Sequence, residues 1–374
     1  MKCKLSDICE YRKGKVNTSN LTLKTYISTE NMLPDKSGVV VANSLPSTTL
    51  VQEYKENDTL VSNIRPYFKK VWQAKYDGGC SNDVLVFQGK ANVDKDFLYY
   101  ILANDDFFAY SMATSKGTKM PRGDKKSIMQ YELQLFDIKI QKRIASILKL
   151  LDKKIELNNA INNNLFYQAK ALYKNRFIDM EPFSGKIPDD WYFGTFSEII
   201  EFHDTKRIPL SNRERANLKK IFPYYGATSV MDYVDRYIFD GVYLLISEDG
   251  TVADSKGFPI LQYVDGQFWV NNHAHIVTGK NGFTVEILYL LFSLTNIQSI
   301  ITGAVQQKIS QSNLKKVPVI IPSKSELNKF DSIIQPIFAQ IRNLRAENNR
   351  LSNILNILIP RLLSGKLDVS KIEI

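Results

Sequence analysis

The 374-residue sequence predicts an α/β (α+β) protein. Two globular bodies are joined by two long, repeated helices that form an antiparallel coiled coil with pseudo-two-fold symmetry. Three observations predict it. First, about 60 residues, 117–177, can be laid over 303–363 at a constant offset of 186 without a gap, and an internal repeat fixes architecture before any local assignment. Second, the overlap is apolar at coiled-coil spacing: Ile144, Leu148, Leu151, Ile155, Leu165, Ala169 and Leu172 fall on Phe330, Ile334, Ile337, Ile341, Leu351, Leu355 and Leu358, and Asn162 falls on Asn348. Third, each helical copy follows strand-rich sequence punctuated by Gly, Pro and Asn.

The first body covers 1–137. β-rich runs at 38–41 and 83–87 read as strands and 97–109 as a helix. A central helical region covers 138–180. The second body, 181–322, predicts strands at 241–247 and 267–270 and a helix at 285–296. A C-terminal helical region covers 323–374. The bodies open alike, with Leu5-Ser6-Asp7-Ile8 and Phe196-Ser197-Glu198-Ile199, and otherwise share little sequence.

In the second helix Phe330, Ile334, Ile337, Ile341, Leu344, Asn348, Leu351, Leu355, Leu358 and Leu362 alternate spacings of four and three, a heptad seam. The first keeps the frame but places Asn158 and Asn162 in it; an Asn there costs stability and fixes register. The seam is assigned to Ile144, Leu148, Leu151 and Ile155 in one helix and Ile334, Ile337, Ile341 and Leu344 in the other. Ser323-Lys324-Ser325-Glu326 reads as a capping box and Gly365 as a stop. Pro336 and Pro360 each remove a backbone N–H and are expected to kink or end the helix. At about 1.5 Å per residue, roughly 40 residues make a rod of about 60 Å. One helix lying antiparallel along the other keeps both seams dry; the alternative is that each seam packs on its own preceding body.

No apolar run reaches the roughly 18 residues of a membrane span, and Met1-Lys2-Cys3-Lys4-Leu5 lacks a signal peptide's apolar stretch. Three cysteines, Cys3, Cys9 and Cys80, without a C-x-x-C, suit a reducing cytoplasm and argue against a disulfide framework or a zinc ribbon. The net charge is +10, which permits a polyanionic partner. Residues 138–180 carry 9 basic and 3 acidic groups, net +6, whereas 181–322 carry 13 and 15, net −2. Any nucleic-acid surface on the second body must therefore come from local clusters.

Catalytic signatures are missing: there is no G-x-x-x-x-G-K-[ST] loop, no glycine-rich dinucleotide turn and no Asn-Pro-Pro-aromatic methyltransferase motif. His273 and His275 alternate on a strand without an evident third ligand, so a hydrogen-bonding role is favoured over a metal. Asp35 with Glu53 and Lys55 has the outline of a nuclease metal site. Glu248-Asp249 reads as a turn or as a base-edge acceptor. No catalytic or metal-binding residue is assigned.

Basic clusters in loop-like sequence stand out instead. Arg12, Lys13 and Lys15 follow Tyr11; Arg65 and Lys69 interleave with Pro66, Tyr67 and Phe68; Lys116, Lys119 and Arg122 crowd a Gly/Pro/Ser/Thr stretch. In the second body Lys206 and Arg207 precede Tyr225 and Thr228, and Gln306, Gln307 and Lys308 follow Gly303. Lys and Arg neutralise phosphates, while Gln, Arg and Thr can read base edges. A solvated surface explains any one cluster; both bodies carry them, and 116–126 and 306–313 overlap in the repeat.

The sequence resembles the DNA-specificity subunit of type I restriction–modification systems. The residues that carry the resemblance are Gln141-Lys142-Arg143-Ile144-Ala145, Ile155-Glu156-Leu157-Asn158-Asn159-Ala160-Ile161-Asn162, Gln168-Ala169-Lys170-Ala171-Leu172-Tyr173-Lys174 and Leu358-Ile359-Pro360-Arg361-Leu362-Leu363-Ser364-Gly365-Lys366-Leu367. The second body, with Tyr224-Tyr225-Gly226-Ala227-Thr228 and Trp269-Val270-Asn271-Asn272-His273, is similar to a common target-recognition domain. The resemblance implies a non-catalytic, cytoplasmic subunit whose two domains read a bipartite, gapped double-stranded DNA target, with paired helices setting the gap. Half-sites about one turn apart, roughly 34 Å, would lie on one face of the duplex. It also implies two methyltransferase subunits that bind S-adenosylmethionine and methylate adenine. Restriction subunits would use ATP and magnesium, and this chain would hold no cofactor of its own. The family's Glu-Gln pair at each helix start is halved here, to Ile140-Gln141 and Glu326-Leu327. A stand-alone nuclease and a coiled-coil scaffold without a DNA role remain the competing readings.

Overall fold

The computed structural model describes residues 1–303, 305–370 and 372. The chain divides into two compact units, Met1–Leu157 with Glu347–Ile374, and Asn158–Ala346.

In the first unit the order is β1 (Lys2–Lys4), α1 (Leu5–Ile8), β2 (Cys9–Tyr11), β3 (Lys15–Asn17), β4 (Tyr26–Ile27), β5 (Leu50–Tyr54), β6 (Thr59–Ser62), β7 (Val71–Gln73), β8 (Gly78–Cys80), β9 (Val84–Gly89), α2 (Lys95–Ala103), α3 (Asp105–Ala113), α4 (Lys125–Ile128), β10 (Glu132–Gln134) and the start of α5 (Ile138–Tyr173). Strands β2-β9-β6-β7 form one sheet, β3-β5-β8-β4 a second, and β1 pairs β10. The expected strand at 83–87 is β9. The run at 38–41 forms no strand beyond a single bridge of Val39 to Met32, and Val40 and Val41 are exposed; β-branched residues favour a strand only where a partner edge covers them. The expected helix at 97–109 is two helices, because the Asn104 side chain turns back to accept from the Asp106 N–H at 3.4 Å, the competition with helix that Asn offers.

The second unit runs β11 (Tyr192–Thr195), α6 (Phe196–Ile199), β12 (Ile200–Phe202), α7 (Asn212–Ala216), β13 (Phe222–Tyr225), β14 (Val230–Val234), β15 (Phe239–Ser247), β16 (Leu261–Val270), β17 (Ala274–Gly279), α8 (Val285–Leu294), α9 (Gln311–Lys315), β18 (Pro318–Ile321) and the start of α10 (Lys324–Leu363). Its main sheet is β12-β17-β15-β16-β13-β14, and β11 pairs β18. The repeat thus reaches deeper than the sequence shows. The order β12-β17-β15-β16 reproduces β2-β9-β6-β7, α6 reproduces α1, and α8 reproduces α2. The bodies diverge at the sheet margin: the first adds β3-β5-β8-β4, the second extends through β13 and β14.

Each unit contains two antiparallel helical stretches. In the first, Ile144, Ala145 and Leu148 of α5 share a core with Leu355, Ile359 and Leu362 of α10 and with Phe97 and Ile101 of α2. In the second, Ala169 and Tyr173 share a core with Phe330, Ile334, Phe338 and Ile341, together with Leu288 and Phe292 of α8. The seam is consequently wider than a strict heptad. Ile144, Leu148, Ile334, Ile341 and Leu344 are buried; Leu151, Ile155 and Ile337 are only partly so. Phe338 rather than Ile337, and Tyr173 rather than Leu172, point fully inward, and Leu172 is exposed. A helix packed on both a helix and a sheet-bearing body buries the broader stripe of a globular-protein helix. α10 stays helical through Pro336 and Pro360, so neither proline ends it, and Gly365 follows its last turn at φ 74°.

The halved Glu-Gln pair has a structural counterpart in each copy. Gln141, 1% exposed, donates to the carbonyls of Asn92 (3.1 Å) and Phe136 (2.9 Å) and accepts from the Asp94 N–H at 2.9 Å. Its repeat-mate Leu327 is fully buried, and the preceding Glu326 instead takes an ion pair from Arg176. Among the described residues, no helix is long and apolar enough to cross a membrane.

Candidate nucleic-acid interface

One small device occurs in both bodies. In the first, Lys116 and Arg122 exchange backbone hydrogen bonds, each 2.9 Å, closing a loop. In the second, Thr302 and Lys308 do the same at 2.9 and 2.8 Å. Each position of one pair lies 186 residues from its counterpart, the offset of the sequence repeat. Gly117 (φ 92°) and Gly303 (φ 88°) follow the first residue of each pair. A Cβ on Gly303 would lie 2.1 Å from the Gln306 carbonyl oxygen, so only glycine closes that loop without displacement.

Both loops dock on the end of the equivalent sheet strand. Beyond β6, Arg65 N–H donates to Pro121 O at 2.8 Å and Gly123 N–H to Asn63 O at 3.1 Å. Beyond β15, Gly250 N–H donates to Gln307 O and Ile309 N–H to Glu248 O, both at 2.9 Å. Each loop then feeds a capped short helix. Asp124 accepts from Ser127 N–H at 3.0 Å and Ser310 from Asn313 N–H at 3.1 Å. The hydrogen bonds from Ser127, with Lys116 3.2 Å away, hold the Asp124 carboxyl down at about 2.

The exposed side chains of the two loops differ in chemistry. The first presents Lys116, Thr118, Lys119, Met120 and Arg122; the second presents Val305, Gln306, Gln307 and Lys308. Arg122 lies 3.3 Å from Asp83 yet remains half exposed. Next to the first loop, Arg65 and Lys69 adopt left-handed φ values of 49° and 50°. Between them Tyr67 and Phe68 are exposed, with ring centroids 4.7 Å apart. Arg65 Nε is buried without a hydrogen-bond partner. Cations beside exposed aromatic faces and amides are suited to phosphates, base stacking and base edges.

Beneath the second loop lies a buried charged network. Asp204, just after β12, accepts from Ile276 N–H at 2.8 Å and from Gln311, and faces His275 Nδ1 at 2.6 Å. His275 Nε2 meets the Ile309 carbonyl at 2.8 Å. A carbonyl only accepts, so Nε2 is the donor to Ile309. Burial alone would raise the Asp204 carboxyl, but the hydrogen bonds from His275, Ile276 and Gln311 and the His275 charge hold it below its ordinary value. Arg207 binds Glu248 at 2.6 Å and Asp204 at 3.4 Å, and Lys308 reaches Glu248 at 3.4 Å. Asp204, Glu248 and His275 offer three ligand atoms within 4.8 Å of one another, the one such group among the described residues. A divalent cation there would face the positive charges of Arg207 and Lys308, which already bind Glu248 and, for Arg207, Asp204. The donor set fits an ion-paired strut better than a metal.

These contacts sort the residues singled out by sequence. Lys13, Lys15, Lys116, Lys119, Arg122, Lys206, Thr228, Gln306, Gln307 and Lys308 are exposed. Arg12 is committed internally to Asp58, with Nη2–Oδ1 at 2.9 Å, and Arg207 to Glu248, so neither is free for phosphate. Lys69 pairs Asp105 at 2.9 Å. Tyr225 packs edge-on against Phe268, while Thr228 sits in the turn between β13 and β14. Glu248 and Asp249 are not open base acceptors, since Asp249 faces His273 at 2.7 Å. In the nuclease outline Glu53 and Lys55 bind each other at 3.4 Å, and Lys55 also binds Asp77. Asp204, Ile309 and Gln311 carried no sequence signal; 71 residues separate Asp204 from His275.

The sequence matches the family described as the type I restriction modification DNA specificity domain over residues 1–166 and again over 188–353. The chain belongs to that family, and it is the non-catalytic DNA-specificity subunit of a type I restriction–modification system. Such a subunit works with DNA and with other subunits of the system. A type I specificity-subunit sequence of Haemophilus influenzae is 34% identical over 142 residues, covering 38% of this chain and 36% of that one. The MjaIX type I restriction enzyme specificity subunit of Methanocaldococcus jannaschii is 24% identical over 310 residues, covering 76% and 71%. The fold is shared with the crystal structure of a type I restriction–modification S subunit from M. genitalium, at a TM-score of 0.55 and 16% identity, covering 99% and 96% of the two chains.

Proposed function

We propose that each body reads one half of a bipartite, gapped double-stranded DNA sequence, and that the docked loop at 116–122 or 302–308 is the principal reading element. Lys13, Lys15, Lys119 and Lys206 supply phosphate contacts, while Arg122, Thr228, Gln306 and Gln307 face base edges. The chain directs two methyltransferase subunits, which carry S-adenosylmethionine, to an adenine in each half. Restriction subunits that use ATP and magnesium join the same assembly, in the cytoplasm. The observation that carries this reading is the loop itself: the same backbone hydrogen bonds in both bodies, with exposed side chains of different chemistry. A shared frame with unlike tips suits two readers of unlike sequences.

The test is methylome sequencing of the host with and without this chain. One gapped, asymmetric adenine-methylated motif should vanish with the chain; its persistence would sink the reading. Purified chain cutting DNA with magnesium alone would favour the nuclease alternative instead.

A further inference from the structure

We infer that His275, held by Asp204, is a positioning residue for sequence discrimination by the second body. It sets the 302–308 loop through the carbonyl of Ile309. The inference rests on the reading of that loop as a DNA-contacting element.

The ring lies on β17 and is 1% exposed, so it cannot touch DNA itself. Its two bonds span a rigid strand and a loop base: Nδ1 to Asp204 at 2.6 Å, Nε2 to Ile309 O at 2.8 Å. Ile309 directly follows Lys308, whose backbone closes the loop onto Thr302. From the other side Ile309 N–H is held by Glu248 O at 2.9 Å, and the Glu248 carboxylate is clamped by Arg207 and Lys308. Both backbone polar groups of Ile309 are thereby fixed, one by a strand end and one by a buried ring. In the first body the equivalent residue is Gly123, whose N–H is bound by Asn63 O at 3.1 Å. Its neighbourhood has no histidine at all, since the chain's three histidines are His203, His273 and His275. The strut belongs to the second reader alone. A loop carrying amides such as Gln306 and Gln307 needs it, because bidentate base recognition by an amide tolerates little displacement.

Two substitutions separate the ring's two bonds. His275→Gln can place an amide donor where Nε2 stands and keep Ile309; His275→Asn can place one where Nδ1 stands and keep Asp204 only. The measurement is the methylated fraction at intact and singly mismatched motifs, in cells making the full chain with its methyltransferase partner. His275→Asn should relax discrimination in the second half of the motif by about ten-fold, the scale of one base contact. His275→Gln should stay within about two-fold, and the first half should be unchanged in both. If the two variants behave alike, or if the first half relaxes equally, the positioning role is overturned. Hydrogen exchange on the full chain gives a second readout. The Thr302 and Lys308 amides should exchange faster in His275→Asn while those of β17 hold; uniform change across the body contradicts the proposal. Gln307→Ala is the control. If it alters the second half while the His275 pair does not separate, positioning fails and the DNA reading stands. If Gln307→Ala alters neither half, the reading fails and the inference falls with it.

Discussion

His275 and Ile309 are joined by a 2.8 Å hydrogen bond from a buried ring nitrogen to a loop carbonyl, so the second body's exposed loop is tied to the interior of its sheet. The tie is electrostatic as much as steric. Asp204, the carboxylate behind the ring, is held below its ordinary titration range although burial opposes this.

Acid should therefore loosen the second body through Asp204. A carboxyl depressed on folding stabilises fully above its unfolded value, near pH 4, and that contribution is lost as pH falls through the lower folded value. Asp204→Asn should lower Tm at pH 7 and flatten the fall in Tm below about pH 4. Parallel pH–Tm curves for variant and wild type would contradict this.

The helix faces predict a contrast between two heptad positions of α5. Leu148 is fully buried and Leu172 is 42% exposed, although both fit the heptad frame. Leu148→Ala should cost about 3 kcal/mol in urea unfolding, and Leu172→Ala less than about 0.5 kcal/mol. Equal costs would restore the strict heptad seam.

That contrast shows what the sequence carried and what it did not. The offset of 186 and the period of the apolar residues expose the two copies and their long helices. Whether Ile337 or Phe338 points inward depends on the sheet and helices packed beside α10, which a seven-residue period does not register. Gly303 and the basic or amide residues after it were visible, because loop chemistry is local. The strut under them was not: Asp204, Glu248, His275 and Gln311 meet only when β12, β15, β17 and α9 converge. Val40 and Val41 show the opposite failure, a strong β pattern with no edge to pair with.

Arg12 should prove structural rather than DNA-binding. Its guanidinium is bonded to Asp58, itself 5% exposed, and truncation leaves that carboxylate without its guanidinium, held by the Lys55 N–H at 2.8 Å. Arg12→Ala should lower stability by about 2 kcal/mol and leave base discrimination in the first half-site intact. A stable variant with weakened, salt-sensitive DNA binding would return Arg12 to the phosphate-contact set.

The most direct test of two independent readers is to compare methylomes of cells carrying Arg122→Ala and Gln307→Ala. These residues sit on equivalent loops of different bodies. Each substitution should relax the methylated motif by about ten-fold in one half only, and the two should affect opposite halves. Relaxation of both halves by either substitution, or no change in either, would contradict the account.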